Sequence, residues 1–249
     1  MKKALGFDIG GSAIKTAPVD IDSGRLVHPA EFLSLPEPNT PAAVLATIRS
    51  HLEKLDWRDP FGVGFPGVID QGRTLTACHL GTGWIGRNFL GDLQSLSDHP
   101  VALLNDADAA GLAEMHFGAG KDMNHPKAGT VLLLTLGTGI GSALFRGGVL
   151  FPNTELGHIE LNGVDAEDTA AASVRTRLNL DWPEWGKRVN RYLQEMEKLF
   201  TPNRIIIGGG VSEQFARFEP FLKTRAELVP AKLVNDAGLV GAALATSLT

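Results

Sequence analysis

Residues 8–15 read D-I-G-G-S-A-I-K, and they join a carboxylate at the end of one apolar run to a lysine on the next run. The two runs, residues 4–9 and 13–19, have the composition of β-strands, and the glycine pair between them is favourable turn chemistry. Residues 25–35 read as a third strand. Glycine has no Cβ, so a glycine turn lets the backbone approach an anion closely. The stretch predicts a strand hairpin whose turn is either a phosphate-binding loop or a plain surface turn beside a lysine.

The phosphate-binding interpretation gives each polar group of this hairpin a task. The backbone N–H groups of Gly10, Gly11 and Ser12 would face the oxygens of a phosphate. The side chains of Ser12 and Lys15 would add further donors. Asp8 would hold Mg²⁺ through water, since that ion keeps several waters in protein sites.

A second glycine turn of similar composition, Gly137-Thr138-Gly139, joins the apolar runs at residues 129–136 and 141–145. The pattern of the opening hairpin thus restarts in the second half of the chain, and the two turns could grip one phosphate chain. The glycines alternate here, so the turn lacks the spacing G-x-G-x-x-G, and G-x-x-x-x-G-K-[ST] occurs nowhere in the sequence. The dinucleotide-binding and P-loop classes of site therefore lose support.

Helix and strand patterns alternate after each hairpin. Residues 43–55 and 182–200 have apolar side chains at helical spacing, while residues 61–65 and 101–104 are short apolar runs typical of buried strands. A hairpin followed by α/β units, found twice, predicts an α/β protein with two lobes, each a mixed sheet with helices. We place the first crossing between the lobes near Asn105.

Asn105-Asp106 follows the apolar run at residues 101–104 and opens a predicted helix. Both residue types favour the cap position of a helix, which is the simpler interpretation. A carboxylate at the end of a strand can instead accept the proton of an attacking hydroxyl, as phosphoryl transfer to an alcohol requires. Asp106 is then the candidate general base, and Asn105 serves either as the cap or as a ligand of a hydroxyl group.

Residues 155–158 read E-L-G-H and place a carboxylate and an imidazole three residues apart behind a glycine-rich strand. Glu155 and His158 suit hydrogen bonds to the neighbouring hydroxyl groups of a sugar. Metal binding and a purely structural histidine are the competing interpretations. Cys78 is the one cysteine and no histidine follows His158, so a structural zinc site lacks ligands.

The predicted helix at residues 182–200 carries four basic residues, which are Lys187, Arg188, Arg191 and Lys198. Lys187, Arg191 and Lys198, at positions i, i+4 and i+11, share one polar face opposite the tryptophans. Such a stripe is either an ordinary solvated face or a track for an extended polyanion, and both interpretations stay open here.

The composition disfavours several classes of protein. The chain has 249 residues, 43% of them hydrophobic, and a formal net charge of -5, which does not favour nucleic acid or an anionic membrane as a partner. No uninterrupted apolar run reaches about 18 residues, and Asp8 with its glycines interrupts any signal-peptide core, so neither secretion nor a membrane span is expected. A single cysteine excludes an internal disulfide framework and favours a cytoplasmic protein.

Five motifs, taken together, resemble those of the ROK family of sugar kinases, which is part of the actin-like ATPase and hexokinase superfamily. They are D-I-G-G-S-A-I-K for the first phosphate motif, N-D-A-D-A-A for the catalytic aspartate segment, L-T-L-G-T-G-I-G-S for the second phosphate motif, E-L-G-H for the sugar motif and I-I-I-G-G-G-V-S for the nucleotide-side loop. The resemblance spans nearly the whole chain. It implies a two-lobed actin-like ATPase fold (hexokinase and ribonuclease H-like), with residues 1–105 and the C-terminal helix 236–249 in the first lobe and residues 106–235 in the second.

Within that family the sequence is most similar to the polyphosphate glucokinases. The resemblance rests on F-P-G-V-I at residues 65–69, G-W-I-G at 83–86, W-P-E-W-G-K-R-V-N-R-Y-L at 182–193 and N-D-A-G-L-V-G-A-A-L at 235–244. Many ROK kinases carry a cysteine-rich zinc motif just after G-H, whereas residues 159–173 contain no cysteine here, an absence shared with the polyphosphate glucokinases. The departure leaves open whether Glu167 or Glu160 replaces a further sugar-binding glutamate of the zinc-bearing relatives.

The resemblance implies transfer of a terminal phosphoryl group from inorganic polyphosphate, with ATP as a further donor, to the 6-hydroxyl of glucose, giving glucose 6-phosphate. Asp106 would be the general base, Asp8 would help to position Mg²⁺, and the loop Gly208-Gly209-Gly210 would lie on the nucleotide side. Five residues would orient the sugar, which are Asn105, Asp106, Glu155, His158 and Glu167. The resemblance also implies a homodimer without structural zinc, and we expect hinges near Asn105 and Asn235 whose closure excludes water.

Two alternatives of different kinds remain. A strictly ATP-dependent glucokinase, or another hexose kinase of the family, shares every catalytic residue named above. A sugar-sensing repressor or a non-catalytic sugar-binding protein is the more remote alternative. Repressors need a DNA-binding helix-turn-helix, for which the first predicted strand leaves no room, and a purely binding protein has no need of Asp8 and Asp106 together.

Overall fold

The computed structural model describes residues 2–78 and 80–248. The strands formed by these residues are β1 (Lys3–Ile9), β2 (Ala13–Asp20), β3 (Arg25–Leu26), β4 (Glu31–Ser34), β5 (Phe61–Phe65), β6 (Ile69–Asp70), β7 (Arg73–Thr74), β8 (Val101–Asn105), β9 (Thr130–Leu136), β10 (Ile140–Arg146), β11 (Val149–Phe151), β12 (Arg204–Gly208) and β13 (Glu227–Pro230).

The α-helices in the same part of the chain are α1 (Pro41–Lys54), α2 (Phe89–Gln94), α3 (Asp106–Phe117), α4 (Glu167–Ala170), α5 (Ala172–Arg177), α6 (Trp182–Phe200) and α7 (Ala237–Ala245). Short 3₁₀ helices cover Lys121–Met123, Leu156–His158, Gly210–Arg217, Glu219–Phe221 and Val234–Asp236. Among the described residues, no helix combines the length and the apolar character needed to cross a membrane.

Contacts divide the chain into two compact units. The first unit runs up to Ala113 and is completed by the chain from Asp236 onward, while the second unit is the continuous segment Glu114–Asn235. The sequence predicts that the chain first crosses between the lobes near Asn105. The boundary between the two units lies further along the chain, between Ala113 and Glu114 inside α3.

The sheet of the first unit has the strand order β3-β2-β1-β5-β8, with β4 also paired to β2. The hairpin β1–β2 is antiparallel, as its glycine turn predicts, while β1, β5 and β8 run parallel. Parallel strands present their carboxyl ends at the same edge of a sheet, and Asp8 lies opposite Gly64 while Phe65 lies opposite Asn105. The register therefore brings residues from distant parts of the sequence to one edge.

The sheet of the second unit repeats this plan, with the order β11-β10-β9-β12-β13. Here β9, β10 and β11 form antiparallel pairs, and β9, β12 and β13 run parallel. The prediction that the opening pattern restarts in the second half of the chain is confirmed.

One expected strand is divided. Residues 25–35, predicted as a single strand, form β3 and β4, which pair with different parts of β2. Pro29 lies between them, and proline has no N–H to donate to a ladder. The loss of that donor accounts for the interruption.

Helix α7 lies against the sheet of the first unit at glycines of β1 and β5. A Cβ placed on Gly6 would lie 2.1 Å from the carbonyl oxygen of Leu239, and one on Gly62 would lie 1.8 Å from that of Ala242. No side chain fits at either position unless the backbones move apart. The helix at the end of the chain is thus an integral layer of the first unit.

In the second unit, α6 buries the apolar face that the sequence predicts. Trp185, Tyr192, Leu193 and Met196 are fully buried in the core that also contains residues of β9 and β12. Asp181 caps the helix by accepting a hydrogen bond from the N–H of Glu184 at 2.8 Å. The opposite face of α6 carries its basic residues.

Candidate functional site

Two aspartates meet at the carboxyl edge of the first sheet. Asp8 is the penultimate residue of β1, and Asp106 begins α3 directly after β8. A Cβ placed on Gly64 of β5 would lie 3.6 Å from both the Asp106 Cα and the Asp8 Oδ1. The two acidic residues therefore lie on either side of Gly64, each within contact distance of that position.

The surroundings of Asp8 disfavour its charge. Loss of water around the carboxyl raises the pKa of Asp8 to about 6, and the nearby charge of Lys15 partly opposes that rise. The backbone of Gly238 approaches closely, since a Cβ there would lie 2.6 Å from the Asp8 Oδ2. An additional positive charge near Asp8 would therefore stabilise the ionised form of its carboxyl group.

Lys15 has a partner that sequence reasoning did not find. Its Nζ lies 2.6 Å from Oδ1 of Asp236, a residue 221 positions away, and its side chain is only 14% exposed. In the hairpin register Lys15 also lies opposite Asp8. The available signal was the position of Asp236 at the start of the predicted last helix, where an acidic residue is equally well explained as a cap.

The turn of the first hairpin is tight. The N–H of Gly10 donates to the carbonyl of Ala13 at 2.9 Å, while Gly11 and Ser12 form the exposed tip. Exposed backbone N–H groups at such a tip are suited to an anion. Phosphate binding by Gly10, Gly11, Ser12 and Lys15 stays a prediction.

Asn105 serves as the cap of α3. Its Oδ1 accepts hydrogen bonds from the N–H groups of Ala107 at 2.9 Å and Asp108 at 3.0 Å, and its Nδ2 donates to the carbonyl of Gly67 at 3.2 Å. The side chain is buried. Of the two roles that the sequence left open for Asn105, the geometry favours the cap, and this cap fixes the backbone that carries Asp106.

In the second unit, helix α5 holds the glycine turn Gly137-Thr138-Gly139. The N–H of Gly137 donates to the carbonyl of Gly139 at 3.0 Å. Ser173 then donates twice, from its N–H to the carbonyl of Gly137 at 3.0 Å and from its Oγ to that of Thr138 at 2.6 Å. The turn is therefore fixed from outside, by a serine that the sequence motif does not include.

Glu167 joins the E-L-G-H motif to the same turn. Its Oε2 accepts a hydrogen bond from the N–H of Ile140 at 3.0 Å, and its Oε1 lies 3.8 Å from Nδ1 of His158. The exposed Glu160 has a backbone bridge to Asp165. Of the two candidates for a further sugar-binding glutamate, Glu167 is the one that lies beside His158.

His158 has a second acidic neighbour, Asp165, whose Oδ2 lies 3.0 Å from the histidine Nδ1. The hydrogen bond to Asp165, together with the negative charge of Glu167, raises the pKa of His158 above its usual value. Burial raises the pKa of Glu155, an effect that His158 opposes. The cluster is therefore a set of strong hydrogen-bonding groups, and Asp165 is a member that the sequence did not indicate.

Helix α6 supports this cluster from below. The hydroxyl of Tyr192 donates to the carbonyl of Leu156 at 3.2 Å, and Tyr192 is fully buried. The 3₁₀ helix Leu156–His158 is thus tied to the most extensive helix of the second unit. This contact limits the movement of His158.

The loop Gly208-Gly209-Gly210 lies against the end of β9. Gly209 has a φ of 77°, and a Cβ there would lie 2.5 Å from the carbonyl oxygen of Leu136, the residue before the glycine turn. Glycine is required at this position for both reasons. The loop and the Gly137 turn are therefore neighbours in the second unit.

Asp8 and Asp106 carry carboxylate oxygens, the type of ligand atom that Mg²⁺ prefers. Among the described residues there is no group of three or more histidine, cysteine or acidic side chains able to hold a metal ion. Mg²⁺ is commonly held by one or two carboxylates together with waters and the phosphates of a substrate. Asp8, with Asp106 close by, meets that smaller requirement.

Comparisons with known proteins agree with these features. The model of the ROK family matches residues 4–173. A polyphosphate glucokinase of Mycobacterium tuberculosis (strain CDC 1551 / Oshkosh) is 45% identical over 246 residues, which cover 98% of this chain and 91% of the relative.

Two solved structures show the fold. An inorganic polyphosphate/ATP-glucomannokinase from Arthrobacter sp. strain KM has a TM-score of 0.90 at 40% identity, with 100% of this chain and 99% of that chain covered. A ROK family glucokinase from Streptomyces griseus, in complex with glucose and AMPPNP, has a TM-score of 0.82 at 23% identity, with 99% of this chain and 100% of that chain covered. The expected α/β fold of the actin-like ATPases is confirmed.

Proposed function

The chain belongs to the ROK family, and from that premise we propose that it phosphorylates glucose at the 6-hydroxyl with inorganic polyphosphate as the donor. The 45% identity to a polyphosphate glucokinase over nearly the whole chain supports this reaction. The structural observation that carries the proposal is that Asp8 and Asp106 both lie beside Gly64. One carboxylate is then available for a metal and the other for the proton of the acceptor hydroxyl.

Asp106 is the general base of the proposed reaction. Its carboxylate accepts the proton of the 6-hydroxyl while the oxygen attacks the terminal phosphorus of the donor. The bridging P–O bond of that phosphorus breaks, and the donor chain leaves shortened by one phosphate with the electron pair on its terminal oxygen. Asn105 acts through position, because its cap fixes the first turn of α3. The side chain that takes the proton from the sugar hydroxyl is therefore attached to a rigidly held backbone.

Mg²⁺, when bound, neutralises charge on the phosphates of the donor. Asp8 would hold the ion through water. The ion pair between Lys15 and Asp236 keeps the lysine beside the hairpin turn. Gly10, Gly11 and Ser12 would then receive phosphate oxygens on their backbone N–H groups.

The second unit supplies the groups for the sugar and for the remaining phosphates. Glu155, His158 and Glu167 orient the sugar hydroxyls through hydrogen bonds, and Asp165 keeps His158 in place. The turn Gly137-Thr138-Gly139 receives phosphate, as α5 fixes its shape. Catalysis in this scheme comes from positioning and charge stabilisation.

ATP is proposed as a second donor, with the loop Gly208-Gly209-Gly210 on the nucleotide side. The support is the solved relative at 40% identity, which is an inorganic polyphosphate/ATP-glucomannokinase. A cytoplasmic homodimer is also part of the proposal. The homodimer rests on the family resemblance, and the cytoplasmic location rests on Cys78 being the one cysteine of the sequence, which fits a reducing compartment.

The test is formation of glucose 6-phosphate by the purified protein with Mg²⁺, using either ATP alone or nucleotide-free long-chain polyphosphate alone. We expect product with polyphosphate, and the ATP reaction then shows whether the donor site accepts both. Product with ATP only would replace the proposal by an ATP-dependent hexokinase. No product with either donor, for glucose and for mannose, would contradict the assignment to a hexose kinase.

A further inference from the structure

Two arginines of the second unit share one tryptophan. The guanidinium carbon of Arg175 lies 3.7 Å from the ring centroid of Trp182, and that of Arg217 lies 4.8 Å from the same centroid. The indole is itself stacked on Phe218, with an interplanar angle of 14° and centroids 6.0 Å apart. An aromatic base thus holds two like charges in one place. We name Arg175, Trp182 and Arg217 the arginine pair site.

These charges have no acidic counterpart in the described residues. Neither Arg175 nor Arg217 makes an ion pair with a carboxylate of residues 2–78 or 80–248. The nearby acids of α6 are engaged elsewhere, since Asp181 caps the helix and Glu184 pairs with Arg188 at 3.4 Å. The arrangement leaves positive charge uncompensated.

One hydrogen-bond donor of the Arg175 guanidinium is unsatisfied. Its Nε is buried and has no hydrogen-bond partner. An unsatisfied buried donor costs free energy, and the cost is greater for a charged group. Stacking occupies the face of a guanidinium and leaves its N–H edge for an oxygen acceptor. The half-buried Arg175 and the exposed Arg217 therefore keep the terminal N–H groups of their guanidinium ions, rather than the buried Nε, as donors for an anion.

The chain connects the arginine pair site to both glycine loops of the unit. Arg175 is two residues beyond Ser173, which holds the Gly137 turn, and two residues span at most about 7 Å. Arg217 ends the 3₁₀ helix that begins at Gly210 of the second glycine loop. The arginine pair site is thus joined to each glycine loop by one short element of the chain.

We propose that Arg175 and Arg217 bind phosphates of the donor chain beyond the phosphoryl group that is transferred. This inference rests on the proposed function and extends it, because it assigns a site to the distal part of an inorganic polyphosphate. Arginine suits that ligand, since its planar fork matches phosphate oxygens in two hydrogen bonds. The triphosphate of ATP has the same chemistry but a shorter chain that ends in a nucleoside.

The test compares a double variant, Arg175→Gln with Arg217→Gln, against a matched control, Arg146→Gln with Arg177→Gln. The control removes two exposed arginines of the same unit, so the net charge is equal. Calorimetric titration with long-chain polyphosphate, without sugar, should show an affinity at least about tenfold lower for the first variant only, as expected for lost charged hydrogen bonds. The KM for long-chain polyphosphate should rise in parallel, while the KM for ATP and kcat stay near wild type.

A conservative variant separates charge from fixed geometry. Arg175→Lys with Arg217→Lys keeps both charges but loses the planar fork, and we expect it to recover part of the polyphosphate affinity. Unchanged affinity in the glutamine variant would overturn the inference. An equal rise in KM for both donors, together with a lower melting temperature, would also overturn it, because that result describes a structural role.

Failure of the proposed function gives a different result. If the wild-type protein makes no glucose 6-phosphate from polyphosphate, the proposed donor is wrong. The calorimetric comparison still decides the inference, since it needs no turnover. Loss of polyphosphate affinity in the arginine pair variant alone would support the site, and equal affinity in both variants would refute it.

Discussion

At the scale of single residues, two cationic side chains of the candidate site have acidic partners outside their own sequence motifs. Lys15 pairs with Asp236, and His158 lies between Asp165 and Glu167. These partners fix the position of a side chain and set its charge at the same time. The expected effect of a substitution therefore depends on which of the two properties it changes.

Asp106→Ala should remove most turnover while the fold and much of the glucose affinity persist. General-base catalysis contributes a factor of about 10² to 10⁴, so a loss of kcat in that range is expected. Asp106→Asn, which keeps the shape of the side chain, should lose activity similarly. The measurements are kcat with saturating donor, glucose binding and thermal unfolding. Near-normal turnover in either variant would remove Asp106 from the mechanism.

Asp165→Asn should destabilise the protein more at low pH than at high pH. The pKa of His158 is raised in the folded state, so its contribution to stability is fully present below the ordinary histidine pKa of 6.5 and is lost as the pH rises through the raised value. The difference in melting temperature between wild type and variant should therefore be larger at about pH 5.5 than at about pH 8.5. A difference that does not change with pH would contradict the charged hydrogen bond.

At the scale of elements, close packing of α7 on the sheet makes a sharp demand on β5. Gly62→Ala places a Cβ 1.8 Å from the carbonyl oxygen of Ala242, so two backbones must separate. We expect a loss of about 1–3 kcal/mol or more, as in overpacked cores. Gly64→Ala is the control on the same strand, because its Cβ meets neighbours only at ordinary distances of 3.6 Å and beyond. Equal melting temperatures of the two variants would refute this packing.

The basic face of α6 allows a second prediction at this scale. Lys187, Arg188 and Arg191 line a pocket of about 450 Å³, whereas Lys198 pairs with Glu195 at 2.7 Å. Replacing Lys187, Arg191 and Lys198 by alanine should weaken use of long-chain polyphosphate more than use of ATP, if a polyanion follows this face. Steady-state kinetics with both donors is the measurement. Equal effects on both donors, or no effect, would leave the stripe as a solvated face.

Elements with a strong local pattern are those that the sequence predicts well. The hairpins on either side of Gly10 and Gly137, and the amphipathic helix at residues 182–200, follow from turn chemistry and periodicity. Contacts over a long separation were not predictable, such as Ser173 on the Gly137 turn or Lys15 on Asp236. These contacts depend on tertiary packing, which cannot be read from the local pattern of residues around either partner.

At the scale of the whole molecule, the order of elements along the chain differs from their membership of the two units. The first unit takes its last layer, α7, from the end of the sequence, while the second unit is continuous. The contacts of α7 with Gly6 and Gly62 therefore join the end of the chain to strands formed by its beginning. Stability of the first unit should accordingly depend on the last residues of the chain.

A variant that ends at Asn235 should test this dependence. The sheet face at β1 and β5 loses the helix that covers it, so the backbone amides of these strands should lose protection from hydrogen exchange. The amides of β9 and β12, which belong to the continuous unit, should keep theirs. Mass spectrometry of the exchanged peptides, with the full chain as the control, measures both. Unchanged protection in β1 would show that α7 is dispensable.

Because the second unit is inserted into the sequence of the first, the two units are completed at different times during synthesis on the ribosome. The segment Glu114–Asn235 is translated entirely before α7 emerges, so the nascent chain can complete its second unit while the first still waits for a layer. During that interval the apolar sheet around Gly6 and Gly62 faces solvent or a chaperone. Translation that stops early would release a polypeptide with one finished unit and one exposed sheet, which quality control can recognise by that surface.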